Sequence, residues 1–352
     1  MNIRSFLFRV RHWETWHYLA KYIPIMPVWL WYCIRARSFW FFTASNPTLT
    51  FGGFEGESKR EMFEQLPPES YPPSIYILYN QSLDEVRNII SSSGLGYPLA
   101  VKPDIGMMGF MFRKIDSWEK LKQYHKKMPV NYIIQEFVSY PLEVSVFYYR
   151  LPGEKRGTIT GFLKKEFLQV TGNGRSSLLE LMTDYPRVRF RLDEMKSKHE
   201  SRLNDILKDG EIFILSNALN LSRGGRLVSL AHEKDDLLLG IFDTLSNYTK
   251  HFYYGRYDIK CASVDDLKQG KNFYILEYNG SGAEPHHIYG NGHTLFQAYK
   301  IVLHHWHMLF KIASYNNNRG IPYWKFREGW TFLKNAKKHF RMLKQLDAAT
   351  EI

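Results

Sequence analysis

Cysteine is nearly absent. Cys33 and Cys261 are the only two in 352 residues, too few for a disulfide scaffold or a thiolate zinc cluster and suited to a reducing compartment. An uninterrupted apolar run of bilayer length is also lacking. The nearest approach, Pro24 to Phe42 ("PIMPVWLWYCIRARSFWFF"), holds Arg35 and Arg37, and Pro24 and Pro27 break its start. An arginine at mid-bilayer costs roughly 2.5–3.5 kcal/mol on insertion scales, so two argue against a span. Arg4, Arg9 and Arg11 interrupt the opening segment, so no signal-peptide core is visible. No internal repeat or low-complexity tract occurs. With 44% hydrophobic and 23% charged residues, a wholly disordered chain is excluded. The length leaves room for two or three domains.

Positive charge is abundant but uneven. Of the net +12, residues 1–42 carry +5 and residues 320–346 carry +6. The body between them is close to neutral, which argues against a nucleic-acid groove there, and no nucleic-acid partner is expected. The basic ends are also aromatic: residues 1–42 contain thirteen Phe, Trp or Tyr. In the tail "WTFLKNAKKHFRMLKQL", helical spacing puts Trp330, Leu333, Ala336, Phe340 and Leu343 on one side and Lys334, Lys338 and Arg341 on another. Either these faces dock on the protein's own body, or they rest on an anionic membrane surface, or they meet an acidic protein or nucleic acid. Tryptophan, tyrosine and arginine together suit a headgroup interface. A cytoplasmic protein, peripherally bound at the inner face of the membrane under the second reading, is the expectation.

Between the ends, strands and helices interleave, with several strands adjacent in sequence, which predicts an α+β (mixed α/β) class. After a glycine-rich turn (Ser45–Lys59), "KREMFEQLP" reads as a short helix and "SIYIL" as a strand. "SLDEVRNIISSSG" is a helix capped by Ser82 or Asp84, and "YPLAVKP" a strand ending at Lys102. A glycine loop, "DIGMMGF", leads to the helix "SWEKLKQYHKKM" and the strand "NYIIQEFV". "LEVSVFYYR" alternates as a strand, "GTITGFLKKEFLQV" suggests a strand pair, and "GRYDIKCAS" and "NFYILEYNG" precede the helix "TLFQAYKIVLHHWHMLFKIA".

The chemistry-bearing residues are spread along this order. A lysine at a strand end before a glycine loop (Lys102, with Gly106 and Gly109) can reach phosphate oxygens while loop N–H groups close over them. Glu277 and Asn279, two apart on a strand, face the same way, as do Arg256 and Asp258 on theirs. Two carboxylates and an amide oxygen form a hard-oxygen set suited to Mg²⁺ shared with nucleotide phosphates. A cation at Arg256 can hold a transferring phosphoryl group or an oxyanion. His304, His305 and His307 invite a metal reading, but no carboxylate or cysteine accompanies them, so packing or surface roles are expected.

Taken in order, Lys59, "VKP" with its glycine loop, "QEFV" with a later Glu, "GRYDI" and "LEYNGSG" resemble the ATP-grasp superfamily. The chain is similar to the D-alanine:D-alanine ligases. It is also similar to cyanophycin synthetase in "FLQVTGNGRSSLLELM" and "NLSRGGRLVSL". The resemblance covers about residues 55–310 and implies two α+β subdomains sandwiching a nucleotide, here with basic aromatic terminal extensions. It implies ATP and Mg²⁺ or Mn²⁺, two ions, as cofactors. Lys59 and Lys102 match the phosphate-contacting lysines. Glu136 matches the acid facing the adenine amino group, Phe137 and Val138 the adenine hinge, and Glu143 the ribose-holding acid. Asp258, Glu277 and Asn279 match the metal ligands, with Glu277 bridging. Arg256 matches the arginine that stabilises the tetrahedral intermediate, and Lys165 a loop lysine over the γ-phosphate. His286 and His287 fall where an acceptor would bind. Asp104, Met107 and Met108 depart from the serine-rich loop of the D-alanine ligases.

These expectations divide the chain into an amino-terminal segment (1–58), a small subdomain (59–134), a large catalytic subdomain (135–310) and a helical tail (311–352). The implied activity is an ATP-dependent carboxylate–amine ligase working through an acyl phosphate. Its substrates would be small or amphiphilic carboxylates and amines, not D-alanine, whose acidic context is missing before Lys59. Two alternatives stand beside it: an ATP-grasp kinase acting on a hydroxyl, and a membrane-surface module with a degenerate nucleotide site.

Overall fold

The structure, a computed structural model, describes residues 12–185, 188, 191–216 and 225–350. It divides into two compact units, one formed by Met1–Phe162 with Ala231–Ile352 and the other by Leu163–Leu230. The mixed α+β class expected from the sequence is present, and the named strand pairings are antiparallel.

The first unit holds a four-stranded sheet of β1 (Ser74–Ile77), β2 (Leu99–Pro103), β3 (Arg113–Ile115) and β4 (Tyr132–Glu136), ordered β1-β4-β2-β3. Alternation decides its faces: Leu99 and Val101 enter an apolar core with Ile77, Val86, Leu121 and Ile134, which leaves Lys102 on the opposite face. The helix Leu83–Ser93 that covers this core starts at Ser82 with a full capping box to Glu85. Ala336, Phe340 and Leu343 of the carboxy-terminal helix Phe326–Ala349 complete the same core. That helix therefore uses most of the expected stripe to dock on the body. Trp330 departs from it and is 61% exposed. The buried position one residue earlier is Gly329, where a Cβ would meet the Trp40 indole.

A second sheet runs β11-β10-β5-β6, from β5 (Leu142–Tyr149), β6 (Thr158–Glu166), β10 (Tyr254–Cys261) and β11 (Phe273–Asn279). Its core joins Phe147 and Tyr254 to Tyr32, Phe41, Phe42 and Phe51 of the amino-terminal segment and to Leu309 and Ile312 of the long helix Leu295–Asn318. The helix Met26–Ala36 thus buries Tyr32 and Cys33 and leaves Leu30, Trp31 and Ile34 exposed. Gly52 and Gly53, at φ +68° and +69°, fold the amino-terminal segment onto the turn after β11. A Cβ on Gly53 would lie 2.9 Å from the Gly280 Cα, so two backbones touch where no side chain fits. Among the described residues, no helix is long and apolar enough to cross a membrane.

The second unit pairs the end of β6, Leu163–Glu166, with β9 (Arg226–Ser229), and β7 (Leu168–Thr171) with β8 (Ile212–Ser216). β6 and β7, read from the sequence as a pair, belong to different sheets: the end of β6 pairs with β9 and β7 with β8. Ser177 caps the helix Leu178–Asp184 after the "TGNGRS" turn. Asn220 to Gly224, the first part of the second cyanophycin-like motif, lies outside the described residues.

Candidate active site

The centre of the site is the β10–β11 ladder. Register places Arg256 opposite Asn279 and Asp258 opposite Glu277, so residues 23 and 19 apart in sequence share one face of the sheet. A bulge follows between Asp258 and Ile259. The Arg256 guanidinium meets both Asp258 oxygens at 3.4 Å, and the Asn279 amide nitrogen lies 3.4 Å from Asp258 Oδ2. Asp258 is buried, so its charge is balanced by these donors rather than by water. Arg256 Nη1 also donates to the Glu284 carbonyl at 3.1 Å and approaches His286 Nε2 at 3.3 Å.

Two lysines approach from elsewhere, Lys59 from a short helix and Lys102 from β2. Lys59 Nζ lies 3.8 Å from Glu277 Oε1, and Lys102 Nζ donates to the Leu276 carbonyl at 3.2 Å. Burial, reinforced by the nearby Lys59 charge and opposed by Glu277, pushes the Lys102 amine down to about 7. The short helix Lys59–Phe63 that aims Lys59 is capped by Ser58, whose hydroxyl donates to Asp104 Oδ2 at 2.8 Å. Asp104 further accepts from the Arg60 backbone at 3.0 Å and, through its carbonyl, from the Lys59 backbone at 3.1 Å. The aspartate that departs from the serine-rich loop therefore ties the two lysine-bearing segments together.

Gly106 sits inside this arrangement, because a Cβ there would lie 3.6 Å from Lys59 Nζ. Gly109, at φ +73°, turns the loop further on. The loop is held from behind. The His339 ring lies 2.8 Å from the Ile105 carbonyl, and Asp347 accepts from the Met111 backbone at 2.9 Å and from Arg113 at 2.8 Å. Of the two loop methionines, Met107 packs against the small-sheet core, whereas Met108 is exposed.

The adenine-side candidates lie at the end of β4. Glu136 is its last residue and is exposed, while Val138 is buried just beyond. Lys260, two residues after Asp258 on the same face of β10, donates to the Val138 carbonyl at 3.0 Å. The Phe137 ring lies between two ammonium groups, Lys114 at 4.4 Å and Lys260 at 5.6 Å. Glu143 stands opposite Lys260 in register. Thus Arg256, Asp258 and Lys260 form one row along β10, from His286 at one end to Val138 at the other.

The sequence reading did not single out Lys260, although its period-two spacing from Asp258 was available. It also passed over Glu57, whose carboxyl is pushed up to about 7, chiefly by burial and also by the Glu277 charge, with Lys59 pulling the other way. Nothing in the sequence pattern marks that acid. The two acceptor candidates part company: His286 faces Arg256, whereas His287 is buried beside Phe147 and Gly161. Lys165 belongs to the Leu163–Leu230 unit, paired through its backbone with Leu227. His304 lies 3.3 Å from the Tyr149 hydroxyl and His307 3.3 Å from that of Tyr32, consistent with packing. Among the described residues, no three His, Cys, Asp or Glu side chains gather as metal ligands. The donor set of Asp258, Glu277 and Asn279 has two carboxylates and one amide, a composition that fits Mg²⁺ better than a softer metal.

No family model matches the chain, and no curated protein matches it in sequence. Among solved structures it is similar to a bifunctional glutathione synthetase from Pasteurella multocida, at 13% identity and a TM-score of 0.47, over 72% of this chain and 38% of that one. It is also similar to a D-alanine–D-alanine ligase from Bacillus anthracis, at 12% identity and a TM-score of 0.40, over 75% and 69% of the two chains. A VanG D-Ala:D-Ser ligase from Enterococcus faecalis matches at 12% identity and a TM-score of 0.40, over 74% and 62%. The chain spans well under half the length of the glutathione synthetase.

Proposed function

We propose that this protein is an ATP-grasp, ATP-dependent carboxylate–amine ligase. The observation that carries the reading is the in-register placement of Arg256 and Asp258 against Asn279 and Glu277, with Lys59 on Glu277 and Lys102 alongside. Lys59, Lys102 and the Gly106 loop would hold the β and γ phosphates. Glu136, the Phe137–Val138 hinge and Glu143 would hold the nucleoside. Asp258, Glu277 and Asn279 would hold one or two Mg²⁺ ions, which supply charge neutralisation on the phosphates when bound. Arg256 stands where charge develops as a substrate carboxylate attacks the γ-phosphoryl group and, later, as an amine displaces phosphate. An amide, ADP and phosphate would result. The test is a screen of carboxylates and amines for stimulated ADP release, with hydroxylamine added. A hydroxamate product supports the acyl phosphate, whereas a phosphate ester without hydroxamate would favour the kinase alternative.

We also propose that the enzyme works at an anionic membrane surface. Tyr18, Leu19, Ile23, Leu30, Trp31, Ile34 and Phe39 are all exposed on the amino-terminal segment, although its inner face is packed. Phe326 stacks edge-on against Phe39 at 5.6 Å, and Trp330 lies 6.3 Å beyond it, extending one aromatic ridge. Arg35 and Arg37 flank that ridge in sequence. A soluble monomer rarely exposes so many large apolar groups together without a partner surface.

A further inference from the structure

A cavity of about 430 Å³ is lined by Lys234, His287, His293, Lys300, His304 and His305, together with Thr160 and Asn291. Among the described residues, no carboxylate lines it. The acids that flank Lys234 in sequence are engaged elsewhere, since Glu233 and Asp235 each hold Lys268 at 2.9 Å. Lys234 itself donates to the Thr160 carbonyl at 3.4 Å. Two lysines without a lining acid make the cavity electropositive.

Its floor is built from two buried imidazoles. His287 is 7% exposed and His305 1%, with ring centroids 5.3 Å apart. Burial, with the charges of Lys234 and His293, pushes His287 down to about 3, and burial pushes His305 well below its usual value. Both rings are therefore neutral near pH 7, each with one N–H and one lone pair. His305 Nδ1 lies 3.3 Å from the Tyr254 hydroxyl, while His305 Nε2 and His287 Nδ1 are buried and have no hydrogen-bond partner among the described residues. Gly161 leaves room for the His287 ring, where any Cβ would collide with it.

The chain and the β5–β10 pairing link the cavity to the β10–β11 ladder. His287 follows His286, which Arg256 approaches at 3.3 Å. Phe147, opposite Arg256 in register, packs edge-on against His305 at 4.4 Å. From this placement we infer that the cavity seats the carboxylate substrate of the ligase, a small acid whose second anionic group is held by Lys234 and Lys300 above a floor formed by His287 and His305. The assignment rests on the ligase reading. The volume leaves ample room for a small di-acid or amino-acid derivative, and lysines act on such a ligand as point charges without demanding one bidentate geometry.

The experiment titrates the full chain with succinate, uncharged succinamide and inorganic phosphate at constant ionic strength, with Mg²⁺-ATP as a separate arm. Succinate should bind and succinamide should not. The double variant Lys234→Gln/Lys300→Gln should weaken succinate at least tenfold and leave Mg²⁺-ATP affinity within twofold. Gly161→Ala, which keeps every charge, should also weaken succinate by displacing His287. Equal binding by the double variant and wild type, or no preference for succinate over succinamide, overturns the proposal. So does phosphate binding more tightly than succinate. If Mg²⁺-ATP fails to bind while succinate behaves as expected, the ligase reading falls and the anion site stands.

Discussion

Replacing Lys102 by Met separates a lysine kept for stability from one kept for a ligand. In the folded protein its amine is pushed from about 10.5 down to about 7, chiefly by burial. The unfolded chain holds that proton up to about pH 10.5, and the folded chain releases it near 7. The unfolded state therefore binds more protons across this window, and stability rises with pH between them. At 1.36 kcal/mol per unit, the buried amine costs on the order of 4 kcal/mol at pH 7, a cost that vanishes above about pH 10.5. Methionine keeps most of the aliphatic stem and removes the charge, losing one hydrogen bond to the Leu276 carbonyl, worth about 1 kcal/mol. The variant should thus be more stable than wild type at pH 7, by about 1–3 kcal/mol, and its stability should no longer climb between pH 7 and 10. Mg²⁺-ATP affinity should fall at least tenfold. Urea unfolding at pH 7 and pH 9.5, with nucleotide titration at pH 7, measures all three. A variant less stable at pH 7 that keeps both the wild-type pH slope and normal nucleotide affinity would refute the reasoning.

Glu277→Gln keeps the side-chain shape and removes the charge shared with Lys59; turnover should drop at least a hundredfold, and retention within about tenfold, roughly 1.4 kcal/mol, excludes the metal assignment. Glu136 should accept from the adenine amino group, so GTP should bind more weakly than ATP by about 1–3 kcal/mol, and equal affinities by calorimetry would remove that role. Trp31→Ser/Ile34→Ser, both on the exposed face, should leave folding intact and reduce co-sedimentation with anionic vesicles, whereas binding that is equal on neutral vesicles and insensitive to salt would exclude the membrane surface. Deleting the helix Phe326–Ala349 should unfold the small sheet and not merely release a tail, because Ala336, Phe340 and Leu343 lie in its core; a cooperative transition of unchanged midpoint contradicts this.

Much of the site was legible because local rules place it. Lys102 ends a strand whose alternation puts Leu99 and Val101 in the core and the lysine on the other face. Ser82, Ser177 and Thr294 open helices with complete capping boxes, a pattern visible in sequence. Glu277 and Asn279 share a face for the same period-two reason. Lys260 followed that rule too, yet its role became clear only when the Val138 carbonyl was found 3.0 Å away, on a segment 122 residues earlier.

Composition, alternation and motif order by themselves determined the α+β class, the strands that carry Lys102, Glu136, Arg256, Asp258, Glu277 and Asn279, and the excess of charge at the two ends. Tertiary structure alone decided what those ends do: one face of each is spent on a core, and Trp31, Ile34 and Trp330 remain outside. It also decided that Asp104 ties Ser58 to the glycine loop, that the buried Glu57 feels the charges of Glu277 and Lys59, and that His287 turns away from His286 into a cavity. The physical reason is one of range. Periodicity and capping act over a few residues, and the chain records them directly. Charge pairing, desolvation and cavity shape depend on segments hundreds of residues apart, brought to within about 4 Å only by the packing of both sheets.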